Sequence, residues 1–161
     1  MEPFDEIEKL EASDMFKEWK EENQDAYLTH AFLMIDPNIK NEWQIGYYTG
    51  SNDKINTFNI SEEITKNPAA DAFKKDGAIS KLDITKVNIS VDKALETADI
   101  VQKQKYSRCV ATSKIIILQI LSKQIWNITY VSATMETLNI KVDTETGEVI
   151  SDSMQSLFRI E

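Results

Sequence analysis

The sequence is poor in the residues from which compact chemical sites are built. Among 161 residues it holds one cysteine, Cys109, and one histidine, His30. A single cysteine excludes a disulfide within the chain and a zinc or iron–sulfur site made of several cysteines. A single histidine excludes two-histidine metal motifs. Four glycines and three prolines are too few for a collagen-like or low-complexity chain.

Long apolar runs and positive charge are scarce as well. No run reaches the roughly 18 apolar residues of a transmembrane helix. Residues 1–10 contain neither a basic nor an apolar segment, so we expect no signal peptide, which leaves a cytoplasmic protein or the mature part of an extracytoplasmic one. The formal charge of -9 disfavours a nucleic-acid binder. Hydrophobic residues make up 42% of the chain, enough for a core.

The first half predicts a helix followed by antiparallel strands. Residues 4–22 carry apolar side chains at helical spacing between acidic ones. From residue 26 to residue 60 the apolar period changes to two, with turn signals at 36–38 and 50–53. For the stretch 61–86 we expect at least one helical turn and one extended piece, and residues 61–63 could cap a short helix.

The second half predicts the same order of elements. Ser90 is a candidate N-cap for a helix, with Asp92 favourable in its first turn. Predicted strands cover 114–121, 125–132 and 136–142. Residues 143–147 form a hairpin turn before a closing strand, and the tail from Ser153 is expected to be a short helix or a loose segment.

The sequence also repeats itself. The string LEASDMF at 10–16 aligns with LETADIV at 95–101, an offset of 85. In the first strand of each half, Ala31, Leu33 and Ile35 align with Ile116, Leu118 and Ile120 at the same offset. After a turn shortened by two residues the offset is 83, which aligns Trp43, Ile45, Tyr47, Ile55 and Asn56 with Trp126, Ile128, Tyr130, Leu138 and Asn139. A change of two residues preserves strand phase, so a tandem duplication explains the pattern.

The fold class predicted from this repeat is α+β, with two tandem helix-plus-antiparallel-sheet units packed together. The predicted boundaries are 1–64 for the first repeat, 65–85 for a connector, 86–151 for the second repeat and 152–161 for a C-terminal tail. Strand 114–121 is rich in isoleucine on both faces, which predicts that its second face is covered by the other repeat or by a second chain. A homodimer is therefore one expectation.

Three strings of the second unit resemble the PepSY domain family. They are residues 87–95 leading into the helix, Trp126-Asn127-Ile128 opening a central strand, and residues 140–150 as a closing hairpin. The resemblance covers about 86–151 and reaches the first unit only through the repeat, since that unit has Ile60-Ser61-Glu62-Glu63 in place of the hairpin turn. It implies a cystatin-like helix over a sheet, a non-enzymatic module, and a link to protease regulation or the cell envelope. It transfers no site residues.

No catalytic, cofactor or metal site is predicted. The sequence shows no phosphate-binding loop, nucleophile elbow or ligand-rich calcium loop. Aromatic residues at equivalent strand positions offer a candidate ligand or partner surface, with core packing as the alternative interpretation. These residues are Trp43, Tyr47, Trp126 and Tyr130.

The expected function is that of a non-enzymatic binding protein with a protein partner, for which a peptidase is one class. The alternative is a carrier of a small apolar ligand in the helix–sheet cleft, lined by Trp43 or Trp126. One charge asymmetry adds a hypothesis. Residues 1–25 hold ten acids and three lysines, a net of -7, while 102–124 hold five basic residues and no acid. These opposite charges are expected to guide the repeats, or two chains, together.

Overall fold

A computed structural model describes residues 2–72 and 79–156 and confirms an α+β fold. The described residues form three α-helices and one nine-stranded antiparallel sheet. The helices are α1 Pro3–Ala12, α2 Asp14–Glu22 and α3 Val91–Lys105, with a short 3-10 helix at Ile84–Lys86. The strands are β1 Tyr27–Ile35, β2 Trp43–Thr49, β3 Lys54–Ile60, β4 Ile64–Lys66, β5 Ala70–Asp71, β6 Ala111–Ile120, β7 Gln124–Ser132, β8 Glu136–Asp143 and β9 Val149–Ser156.

The two halves lie side by side in this one sheet. Its strand order is β4-β3-β2-β1-β6-β7-β8-β9, and the short β5 pairs with β3. The first strands of the two halves, β1 and β6, pair antiparallel in the middle, with Ala31 opposite Leu118 and Leu33 opposite Ile116. Neither half therefore covers the second face of the other, in contrast to the cover expected for strand 114–121.

All three helices pack on the same face of the sheet and enclose the core with it. Helix α1 contacts β2 and β3, and α3 contacts β7 and β8. Phe16 of α2 lies 5.0 Å from the Tyr47 ring, centroid to centroid. At the other end, the Trp126 indole donates a hydrogen bond of 2.9 Å to the carbonyl of Ile89. Apolar side chains from helices and strands thus form one continuous cluster.

Two capping interactions define the helices. The predicted helix over 4–22 is broken at Ser13, whose hydroxyl accepts a hydrogen bond of 3.2 Å from the backbone N–H of Phe16 and so starts α2. The predicted N-cap Ser90 is confirmed, because its hydroxyl accepts from the N–H of Lys93 at 3.1 Å. The Glu2 carboxylate accepts from the N–H of Val91 at 3.0 Å, which ties the start of α1 to the start of α3.

The segment between the halves first adds β4 and β5 to the sheet. It then continues into residues 81–84, which we call the strap. The turn at Ser61 leads into β4, so the short helix that residues 61–63 were expected to cap is wrong. The helical turn and the extended piece expected within 61–86 are confirmed by the 3-10 helix Ile84–Lys86 and by β4. The N–H of Leu82 donates to the carbonyl of Leu28 at 2.8 Å. The Gln124 side chain then holds Asp83 by accepting from its N–H and donating to its carbonyl, both at 2.9 Å. Residues 73–78 of the predicted connector lie outside the described residues.

The closing hairpin forms as predicted, but the tail does not. Asp143 accepts from the N–H groups of Glu145 and Thr146, and Gly147 takes a φ of 79°. Residues 153–156, expected to be helical or loose, belong to β9 because they continue the ladder with β8. Residues 157–161 of the predicted tail lie outside the described residues.

Strand pairing tests the predicted repeat offsets one strand at a time. Ala31 pairs with Ile45, and Ile116 pairs with Ile128, so the first two strands of each half keep the offsets of 85 and 83. Tyr47 pairs with Asn56, whereas Tyr130 pairs with Leu138, so the third strands are offset by 82. The loop 50–53 has four residues and the loop 133–135 has three, which accounts for the difference.

Two of the predicted equivalences are therefore wrong. Ile55 and Asn56 do not correspond to Leu138 and Asn139, because a shift of one residue moves a side chain to the other face. The helices α1 and α3 begin at Pro3 and Val91, which are 88 residues apart rather than 85.

In each half, a hydrogen bond from a tyrosine hydroxyl to a carboxylate connects a helix to the second strand. Tyr130 donates to Asp99 of α3, and Lys114 pairs with the same carboxylate at 3.2 Å. Tyr47 donates to Glu11 of α1 at 2.9 Å, but Glu11 is exposed while Asp99 is half-buried. Burial raises the pKa of both tyrosines, so both remain protonated donors.

We predict that Tyr130→Phe lowers the free energy of unfolding by about 1–2 kcal/mol, because it leaves a half-buried carboxylate without one donor. Tyr47→Phe is the matched control and is expected to cost less, since water reaches Glu11. Urea denaturation of both variants gives the measurement. Equal losses at the two positions contradict the prediction.

Candidate functional site

The face of the sheet away from the helices carries an apolar patch at its centre. Phe32 lies opposite Ile117 and Met34 opposite Ile115 in the β1–β6 pair, and all four side chains are half-buried. Successive residues of a strand point to opposite faces. These four therefore point away from Ala31, Leu33, Ile116 and Leu118, which are fully buried beneath the helices. Within the described part of the chain no helix packs on this side, which we call the open face.

Hydrogen-bonded amide and hydroxyl groups flank this apolar patch on both sides. On the β3 side, Asn59 and Thr57 bond the Asn67 side chain at 2.9 Å each. On the β8 side, Asn139 donates to Asn127 at 2.6 Å, and Asn127 donates to Gln119 at 2.9 Å. These side chains are held in place while they still border solvent, so they present fixed polar groups to anything that docks on the open face.

Charge is almost absent from the open face. At the positions of β1–β3 and β6–β8 that share the alternation of Phe32 and Ile117, the charged residues are Lys141 and, at the end of β8, Asp143. Charged residues make up 28% of the whole chain. The chain therefore keeps its charges on the helix side and at the strand ends.

The described structure shows no ion pair that supports the hypothesis that the acidic residues 1–25 and the basic segment 102–124 guide each other together. Within the basic segment 102–124, Lys105 pairs with Asp152, Lys114 with Asp99 and Lys123 with Asp143. All of these acids belong to the second half. Among the described residues, no ion pair joins this segment to α1 or α2, so steering at longer range stays a hypothesis.

His30 lies on the open face beside the apolar patch. It pairs with Gly46 of β2, and its ring occupies the space where a side chain at position 46 would sit. A Cβ added to Gly46 would lie 2.0 Å from the Cε1 atom of His30. The imidazole Nδ1 is 3.0 Å from the Thr29 hydroxyl, and burial lowers the pKa of the ring. His30 is thus packed as a neutral side chain.

The four aromatic residues proposed from the sequence lie on the helix side, inside the core. Trp43, Tyr47, Trp126 and Tyr130 are 4%, 2%, 0% and 1% exposed. They share the strand alternation of Ile45 and Ile128, which α1, α2 and α3 cover. The structure thus gives them core packing and offers none of them to a partner on the surface. The sequence signal that indicates the open face is the second set of apolar residues on β1 and β6, which consists of Phe32, Met34, Ile115 and Ile117.

A cleft of about 1410 Å³ opens between α2, the start of β1 and the strap at 81–84. Phe16, Leu28, Tyr47 and Leu82 give it an apolar floor, and lysines, glutamates and aspartates surround its mouth. Of the aromatic residues proposed from the sequence, Tyr47 lines the cleft, whereas Trp43 and Trp126 do not.

The described residues show no cluster of three or more metal-ligating side chains. Cys109 is buried, and burial raises the pKa of its thiol, which disfavours the thiolate form. None of the helices described is both long and apolar enough to cross a membrane. The candidate binding surfaces of the described residues are therefore the nearly uncharged open face and the apolar cleft.

Comparison with known proteins yields one structural likeness. No protein-family model matches the chain, and no curated protein matches it. A crystal structure of a "putative lipoprotein" from Clostridium difficile 630 matches with a TM-score of 0.55 at 18% sequence identity. The match covers 88% of this chain and 91% of that one. At this identity the likeness concerns the fold alone.

We predict that Gly46→Ala destabilises the protein by about 1–3 kcal/mol, because the new methyl group displaces the His30 ring. In a His30→Ala background the same change is expected to cost much less, since the space is then empty. A double-mutant cycle by urea denaturation measures the coupling. Additive effects of the two substitutions contradict this packing.

Proposed function

We propose that the protein is a non-catalytic binding protein that docks a protein partner on the open face. The observation that carries the proposal is the apolar patch of Phe32, Met34, Ile115 and Ile117, left outside the core at the centre of a nearly uncharged face. Apolar side chains in this arrangement gain free energy when a partner removes them from water.

The composition of the open face supports the proposal. Protein interfaces have an apolar centre depleted of charge and a polar rim that forms hydrogen bonds. Here the centre is the four-residue patch, and the rim consists of the Asn59–Asn67 and Asn127–Asn139 networks. Because the patch lies on the two central strands of the sheet, docking requires little ordering of the backbone.

The proposal includes a PepSY-like tandem duplication as the origin of the two halves. Its support is the shared pairing of the first two strands, Ala31 with Ile45 and Ile116 with Ile128. The different helix starts and the shorter loop 133–135 are changes in connections, which cost little. The PepSY resemblance implies a peptidase as the class of partner.

We predict that Ile117→Lys weakens partner binding at least tenfold, because the ammonium group loses water at the centre of the interface. Ile100→Lys, on the 48% exposed Ile100 of α3, is the matched control and is expected to bind as the unmodified protein does. The three immobilised proteins are used in parallel to capture partners from the native source, and each purified partner is then titrated against all three.

A captured peptidase is assayed with and without the protein to test the expected regulation. Circular dichroism establishes that the Ile117→Lys variant is folded, and Met34→Gln provides a second, uncharged change in the same patch. If every captured protein binds the Ile117 and Met34 variants as tightly as the unmodified chain, the open face is not the docking surface.

The apolar floor of the cleft favours a second candidate function, the transport of a small apolar ligand. Trp19 is the tryptophan that reports on this site, because its ring lies 5.8 Å from Tyr47, a residue of the cleft lining. Trp43 and Trp126 are not among the residues that line the cleft.

We predict that, if the cleft carries such a ligand, a fatty acid changes tryptophan fluorescence in the unmodified protein but not in Trp19→Phe. Leu82→Lys is expected to weaken the response, because it places a charge on the apolar floor. Isothermal titration calorimetry checks binding independently of fluorescence. An absence of heat and of any fluorescence change argues against the carrier function.

A further inference from the structure

The two edges of the sheet differ in how they are protected. One edge ends in β4 and β5, which have three and two residues, with Pro68 between them. Short strands and proline prevent another strand from pairing. The other edge is β9, eight residues long, which pairs only with β8 among the described residues. In the described part of the chain, no strand pairs with the outer N–H and C=O groups of residues 149–155, so this row can accept a further strand.

The β9 strand lacks the usual protective features over most of its length. Residues 149–156 contain no proline, glycine or lysine. A bulge occurs at Ile150, because Lys141 pairs with Ser151 while Val142 pairs with Val149. From Ser151 to Ser156 the ladder is regular, and a regular strand is a suitable template for pairing.

The one charged side chain of β9 is held inside its own chain. The Asp152 carboxylate accepts hydrogen bonds from Lys105 at 3.2 Å and from the Tyr106 hydroxyl, both at the end of α3. These bonds lower the pKa of Asp152, so it remains ionised and bound to α3. The carboxylate is thus turned toward the end of α3 and does not extend across the outer edge of β9.

We propose that β9 pairs antiparallel with β9 of a second copy, about a two-fold axis at Ser153. Directly opposite residues of an antiparallel pair lie on the same side of the sheet, so in a symmetric pair one residue faces its own copy. A centre at Ser153 places Asp152 opposite Met154 and Ser151 opposite Gln155. A centre at Asp152 would place two carboxylates opposite each other, and like charges there are destabilising.

The strand length also selects Ser153 over Met154 as the centre. With Ser153 at the axis, the residues 151–155 of one copy all find partners within the regular part of β9 of the other. With Met154 at the axis, only 153–155 do so. The Ser153 register therefore forms the longer ladder.

The distribution of charge favours a second copy as the occupant. The helices α1 and α2, which hold most of the acidic excess of residues 1–25, pack over β2 and β3. In the strand order, β2 is five positions from β9. At about 4.8 Å per strand this is roughly 24 Å, several times the Debye length of about 8 Å at physiological salt. Two copies joined at β9 thus keep their acidic helices far apart.

The symmetry has a structural consequence. The axis runs perpendicular to the sheet, so the open faces of the two copies form one continuous surface of double width. The pairing itself rests on β9 alone, and it holds whether or not the open face binds a partner.

The test is the mass of the full chain in solution, measured by sedimentation from micromolar to near-millimolar concentration. The unmodified protein is expected to reach twice its 18.4 kDa mass. Ser153→Lys is expected to remain monomeric, because it places two ammonium groups opposite each other at the axis. Ser122→Lys, in the exposed turn between β6 and β7, is the matched control and is expected to dimerise.

A cysteine pair tests the register. Opposite Cα atoms of antiparallel strands are about 4.5–5.5 Å apart, within the range of a disulfide. Ser153→Cys is therefore expected to form a disulfide-linked dimer under mild oxidation. Gln155→Cys lies on the same edge and the same side, but it faces Ser151 and is expected not to cross-link. The buried Cys109 contributes no background.

Three results overturn the proposal. They are a protein that stays monomeric at the highest concentration, a dimer that Ser153→Lys leaves intact, and cross-linking of Gln155→Cys as efficient as that of Ser153→Cys. None of them bears on partner capture by the open face, so the two proposals fail separately.

Discussion

The antiparallel pair of β1 and β6 is the interaction on which the rest of the structure depends. It joins the first strand of one half to the first strand of the other, with Ala31 opposite Leu118 and Leu33 opposite Ile116. These side chains connect the core under α1 and α2 to the core under α3. Two units of this size bury too little surface to be very stable alone, and a shared sheet gives them one continuous core.

The same pair also determines what is left uncovered. A strand presents alternate residues to opposite faces, so placing Ala31 and Leu118 in the core sends Phe32 and Ile117 outward. Both central strands are apolar on each side, which is the pattern of a sheet covered twice. The helices cover one side within the described residues. The physical basis of the proposed function is therefore an apolar surface on which none of the described helices packs.

Charge follows this division of the sheet into two sides. The acidic helices lie over β2 and β3, and on the same side Lys105 and Lys114 of the second half pair with Asp152 and Asp99. Amide and hydroxyl groups occupy the flanks of the open face, where they bond one another. The result is one strongly charged side and one nearly neutral side in a chain with a net charge of -9.

The sequence by itself determined much of the local structure. Period-two alternation located the strands, Ser90 located the start of α3, and the spacing of Asp143 and Gly147 located the closing turn. It did not determine the break at Ser13, where a serine serves as an N-cap inside a continuous apolar pattern.

For the aromatic residues the sequence established alternation but not which side the helices cover, so Trp43 and Trp126 were equally compatible with core and surface. Tertiary structure decided that the halves lie edge to edge, that the aromatic residues face the helices, and that the third strands are offset by 82. Pairing between β1 and β6 joins residues 79 to 87 positions apart. An alternating pattern specifies the phase of each strand, but it carries no information on which distant strand lies beside it.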